Sequence, residues 1–152
     1  MRIHFQKPPE GQTWAAWVVD RGHRRIVRGG MGWAPHWRLT HDLAGYAVER
    51  SLGLTSGFWH CIADGATFAS TDRKRTRPGR AVIASRRAEL EAHDRLTHGH
   101  WERWERGGPT PAAPLLDEVA AEWARLPPGE WMTVEWDLPQ RDGRRHVRTR
   151  SR

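Results

Sequence analysis

Thr13-Trp14-Ala15-Ala16-Trp17-Val18-Val19-Asp20 is rich in aromatic and β-branched residues, and Asp20-Arg21-Gly22-His23 follows it as a turn. The stretch 13–20 reads as a strand. Residues 24–28, carrying Ile26 and Val27, return as a shorter strand. Upstream, Ile3 and Phe5 fall on one face of a strand over 2–6, and Pro8-Pro9-Glu10-Gly11 turns the chain before Thr13. Three strands joined by short turns make an antiparallel meander. Gly29-Gly30-Met31-Gly32 reads as the turn that ends it; the run lacks the Lys-Ser/Thr of a phosphate-binding loop.

Helical signals occupy the middle of the chain. Thr40 is a suitable N-cap, Asp42 suits the positive end of the helix dipole, and Leu43, Ala44, Ala47, Val48 and Leu52 recur at helical spacing before Gly53 stops the run. Residues 56–65 read as a short helix or apolar turn closed by Gly65, and 71–79 as a polar, basic loop. A long helix is expected over about 80–106, with Ile83, Leu90, Leu96, Trp101 and Trp104 as its buried stripe and Gly99 as a point of kinking or splitting. Pro109 to Pro114 forms a linker into a helix at 114–126, where Leu115, Val119, Trp123 and Leu126 share a face. Met132, Val134 and Trp136 alternate along a last strand over 130–137. The fold class is therefore α+β: a small antiparallel sheet of three N-terminal strands and one C-terminal strand, with three to four helices. The last strand is expected to pair beside the first. Residues 1–139 read as one domain and 140–152 as a disordered arginine-rich tail.

Charge is unevenly placed. The chain of 152 residues carries a net charge of +7. Arg73, Lys74, Arg75, Arg77 and Arg80 form one basic run. Arg141, Arg144, Arg145, Arg148, Arg150 and Arg152, against Asp142, form another. Together these runs exceed the net charge, so the rest of the chain is mildly acidic. With one cysteine, Cys61, no intrachain disulfide can form, and a secreted disulfide scaffold is excluded. Met1-Arg2-Ile3-His4-Phe5 has no apolar signal-peptide core, and no stretch approaches the roughly 18 apolar residues of a membrane span. The expected compartment is the cytoplasm, with no membrane contact. The tryptophans, ten in all, read mainly as core, because each buries a large apolar area.

His41-Asp42-Leu43-Ala44-Gly45-Tyr46-Ala47-Val48-Glu49 is the stretch richest in chemistry. Gly53-Leu54, Gly57-Phe58-Trp59 and Ala63-Asp64-Gly65-Ala66-Thr67-Phe68 follow it. Together they resemble an uncharacterised bacterial protein family, in which a His-Asp-Leu-x-His-x-x-Val-Glu helix precedes segments of this kind. The resemblance covers about residues 39–68, with a weaker echo in the closing strand, and implies no activity. The chain departs from that pattern at Gly45, where the family often carries a second histidine. Histidines at i and i+4 lie about 6 Å apart on one helix face and can share zinc. His41 and Glu49 alone are about 12 Å of rise and about 80° of rotation apart. A zinc site would then need His36 or His60 beside His41 and Glu49.

The structural alternative has His41 and Asp42 satisfying backbone groups of the first turn, Glu49 paired with Arg50 or a loop arginine, and a bulky ring packed on Gly45. Glu89/His93 and Asp94/His98 read as solvated i, i+4 pairs. Cys61 beside His60 reads as a buried, inert thiol. Three functions are open to this sequence. The first is a non-enzymatic accessory or binding protein with an unidentified protein partner and no cofactor. The second is binding of nucleic acid or another polyanion through Arg73, Lys74, Arg75, Arg77, Arg141, Arg144, Arg145, Arg148 and Arg150. The third is a degenerate metal-dependent hydrolase-like site around His41.

Overall fold

Alternation of large and small, apolar and polar residues lays down the first layer. In the computed structural model, residues 1–20, 26–34, 36–72 and 74–137 are described, the side chains of 26, 27 and 31 excepted. β1 (Arg2–Gln6) buries Ile3 and Phe5, and β2 (Trp14–Asp20) buries Ala15, Trp17 and Val19. β3 spans Ile26–Gly32. β4 (Trp131–Glu135) buries Met132 and Val134, and Trp136 extends the same face. The sheet order is β3-β2-β1-β4, antiparallel throughout. The closing strand thus lies beside the first, as expected. It is clamped there by a reciprocal pair: the Met1 amino group donates to the Trp136 carbonyl at 3.0 Å, and the Trp136 N–H donates back at 2.8 Å.

β3 is longer than its sequence suggests. Gly29 to Gly32 continues the strand, opposite Trp17, Ala16, Ala15 and Trp14. The reason is steric. A Cβ on Gly29 would fall inside the Trp17 ring, and one on Gly30 would sit 2.7 Å from Trp14 Nε1. Bare backbone in β3 makes room for an indole on each face of the sheet, which is a recognised use of strand glycine.

The helices cover one face. α1 (His41–Leu52) is capped by Thr40 and ends at Gly53, whose φ of 62° is the left-handed conformation glycine adopts without cost. α2 is the short helix Phe58–Ala63. α3 runs unbroken over Arg77–Glu105. Gly99 neither splits it nor meets any atom, since a Cβ there would face open space. Its buried face also differs from the apolar stripe expected. Gly79, Arg86, Thr97, Trp101 and Trp104 are buried, Ile83 and Leu90 are half-buried, and Leu96 is 43% exposed. Polar partners on α2 explain the exchange, as described below. α4 (Ala113–Arg125) buries Leu116, Val119, Ala120 and Trp123, with Leu115 half-buried. Six tryptophans are core: Trp17, Trp59, Trp101, Trp104, Trp123 and Trp136. Trp33 and Trp37 are half-buried against it, whereas Trp14 and Trp131 are exposed. No helix among the described residues is long and apolar enough to cross a membrane.

Candidate functional site

The first turn of α1 places the most exposed chemistry. Thr40 Oγ1 accepts the Leu43 N–H at 3.2 Å, satisfying a donor that the helix start leaves orphaned. Asp42 is thereby free for a different task from the backbone capping its position suggests. Its carboxylate accepts the Trp17 Nε1–H at 2.8 Å, and its carbonyl accepts the Trp59 Nε1–H at 3.0 Å. Two buried indoles, one from the sheet and one from α2, hold this one residue. The other carboxylate oxygen of Asp42 stands 3.4 Å from His41 Nδ1. That contact, with the nearby charges of Asp42 and Asp94, outweighs burial and raises His41 above the ordinary histidine range.

His41 borders an open pocket of about 580 Å³ between the segment before α1 and the last turns of α3. Its walls are rings. Trp101 meets His41 edge-on at 5.5 Å and His98 at 5.7 Å; Trp37 meets Trp101 at 5.7 Å, and His36 lies against Trp37 at 5.8 Å. The His41 and His98 rings are 6.0 Å apart. The pocket's two carboxylates are already engaged. Glu105 Oε1 accepts the Trp101 Nε1–H at 3.2 Å and the Arg38 N–H at 3.1 Å. Glu102 lies 3.3 Å from His98 Nε2 and 3.7 Å from Arg106 Nη2. On the other side of His41 is a smaller cavity of about 220 Å³, bordered by Asp42, Gly45, Phe58, Trp59 and Asp94. Trp59 does approach Gly45, as a ring was expected to. Yet a Cβ there would find Trp59 Nε1 and Thr97 Cγ2 each at 3.8 Å, an ordinary contact, so the bare backbone is not demanded by packing.

The far end of α1 is built differently. Glu49 is 4% exposed. It pairs with no arginine; its two oxygens accept the Phe58 N–H at 2.9 Å and the Trp59 N–H at 3.0 Å. Gly57, the N-cap of α2, has no side chain to perform this task, and a Cβ there would overlap the Glu49 carboxylate. A carboxylate from α1 therefore caps α2. Burial nonetheless prevails over these amide bonds and pushes the Glu49 carboxyl up to about 8. Arg50 turns outward and grips Asp137 with two bonds of 3.0 Å. At the end of α2, the Arg86 guanidinium of α3 donates to Asp64, both side chains being 5% exposed, and His60 Nε2 lies 3.5 Å from the same carboxylate. Cys61 is buried beside them, and burial pushes its thiol up to about 11. The Thr67 segment docks on the start of α3: Thr67 N–H donates to the Gly79 carbonyl at 3.3 Å, and a Cβ on Gly79 would strike Thr67.

Of the four residues considered for zinc, the structure brings only His36 and His41 to one pocket. Glu49 is bound to backbone amides and His60 is enclosed with Asp64. No group of three or more His, Cys, Asp or Glu side chains among the described residues is placed to hold a metal ion. Lys74, Arg75 and Arg77 are exposed around the start of α3; Arg73, Arg141, Arg144, Arg145, Arg148 and Arg150 lie outside the described residues. Sequence reading passed over His98, Trp101 and Arg86. Their signal lies in α3 itself. Positions 83, 86, 90, 93, 97, 101 and 104 trace one helical seam, and the polar residues on it mark where polar partners wait. The pieces quoted for the family resemblance meet in space as supports: Glu49 on Gly57-Phe58-Trp59, and Thr67 on Gly79. No protein-family model, no curated protein and no solved structure matches the chain.

Proposed function

We propose that this chain is a non-enzymatic binding domain whose ring-lined pocket takes a small, flat ligand bearing an anionic or hydrogen-bond-accepting group. The observation that carries this reading is the state of the pocket's polar groups. Glu102 and Glu105 are engaged by the pocket's own donors, whereas His41, held through Nδ1 by Asp42, has no bond at Nε2 among the described residues. Trp37 and Trp101 supply the apolar walls that a ring compound needs, and a few convergent polar groups on such walls are the usual makeup of a ligand site. The residues lining the pocket include no serine, threonine or cysteine, which favours binding over covalent chemistry. A protein partner could supply the ligand group as a side chain. A reducing, cytoplasmic compartment suits the lone buried thiol of Cys61.

Benzoate and indole serve as anionic and neutral ring probes. Titration of each, followed by the imidazole ring-proton signals of His41 and His98, is expected to show benzoate shifting both signals and indole shifting them less. Trp101→Ala should remove the response. Signals that stay fixed at millimolar benzoate in the unaltered protein would end this reading. The zinc reading rests on His41 without a converging partner, and stoichiometric zinc surviving dialysis would favour it. The polyanion reading is taken further below, from a different face of the molecule.

A further inference from the structure

We propose that the open face of the sheet is a platform for single-stranded nucleic acid, with Trp14 and Trp131 stacking on bases. The core lies on one face of the sheet. The opposite face carries the residues that alternate with it: His4 and Gln6 on β1, Trp14, Ala16 and Val18 on β2, Gly30 on β3, Trp131 and Thr133 on β4. Among the described residues three large apolar side chains are exposed, and two of them, Trp14 at 58% and Trp131 at 44%, stand on this face. A small-residue floor keeps it flat. The Trp14 ring lies over Gly30, where a side chain would be 2.7 Å from its Nε1.

Register sets the spacing. Trp131 pairs with Gln6, which pairs with Ala16, one alternation away from Trp14. Strands ~4.8 Å apart, with ~7 Å per two residues, put the two tryptophan backbones ~12 Å apart. That is the span of a few nucleotides of an unstacked strand. Aromatic rings on an open sheet face are a recurring means of holding single strands, tolerant of sequence because every base has a π-face.

Charge complementarity selects this partner. Arg2 and Arg28 occupy the end of the face away from the tryptophans, where Asp20 and Glu135 offset them. The excess positive charge lies in the sequence that continues from this same end. After Asp20 come Arg21, His23, Arg24 and Arg25, and after Asp137 come the six arginines of 140–152. The topology therefore sets a stacking end and a cationic end on one face, which suits a strand carrying both bases and phosphates. A second copy of the chain would bring a like-charged end against its own.

The test uses the full chain and fluorescein-labelled oligo-dT and oligo-U of about twenty nucleotides, followed by fluorescence anisotropy. Binding at low salt is expected, weakening steeply as salt rises. Trp14→Ala and Trp131→Ala should each weaken it ~10-fold, while Trp14→Tyr and Trp131→Tyr, which keep a ring, should retain most of the affinity. Circular dichroism and unfolding curves establish that each variant is folded. A duplex of the same length should bind more weakly than the single strand. The proposal is overturned if the double variant W14A/W131A binds as the unaltered chain does, since the arginines then act alone. It is equally overturned if no oligonucleotide binds at low salt, or if the two tryptophans instead govern a concentration-dependent dimer.

Discussion

At its C-terminal end α1 presents Glu49, 4% exposed and bonded to two backbone amides of α2; at its N-terminal end it presents His41, at the edge of an open pocket. The two residues belong to one sequence motif and stand eight positions apart. Their surroundings divide the labour. Around Glu49, each buried polar group meets another across a helix boundary: Glu49 with the start of α2, Asp64 at its end with Arg86 of α3. Around His41, the buried groups Trp17 and Trp59 are spent on Asp42, leaving the imidazole at the surface of a cavity. A helix that carries histidine and glutamate at metal-like positions can thus use one for packing and offer the other to a ligand.

Breaking the buried half should produce the largest effect. Arg86→Ala leaves Asp64 enclosed without its cation, and a loss of ~3–5 kcal/mol in denaturant unfolding is expected. Replacing both members with apolar residues, as in R86M/D64L, should cost less than R86A alone, because no orphaned charge remains. Gly57→Ala comes next. Its methyl group would overlap the Glu49 carboxylate, and ~1–3 kcal/mol should be lost.

Glu49 also gives the buried half a pH signature. Its carboxyl is raised to about 8 in the folded protein, so the native state holds a proton that the unfolded chain releases in the ordinary glutamate range. The stability tied to that proton is fully present below the unfolded value and is lost as pH climbs toward about 8. Melting curves across this window should therefore fall for the unaltered protein relative to Glu49→Gln, which has no proton to release. The smallest effect concerns the boundary between the halves. Gly45→Ala should stabilise the protein by up to ~1 kcal/mol, since the methyl group finds ordinary contacts and removes a helix-interior glycine.

Local signals were readable in the sequence wherever the cause was local. The alternation of Ile3 and Phe5, or of Met132, Val134 and Trp136, needs only the strand period, and the Thr40 and Gly53 caps need only the helix ends. The β3 glycines were not readable, because a glycine run signals a turn unless the rings lying against it are known. Arg86 and Thr97 concealed the buried seam of α3, since polarity argues for exposure until Asp64 is seen opposite. Glu49 invited a search for a cation, but a buried carboxyl can take its donors from a helix start. The pocket joins His36 and Trp37 to His98 and Trp101, which are some sixty residues away in sequence, and no spacing rule connects them.

Unfolding of Glu49→Ala and His41→Ala in guanidinium, measured side by side at neutral pH, puts the division of α1 to the test. Removing Glu49 strands two amides at the start of α2 and should cost ~2 kcal/mol or more, whereas removing His41 should cost under ~1 kcal/mol. Equal losses, or a larger one from His41→Ala, would contradict the assignment of one end to the scaffold and the other to the site.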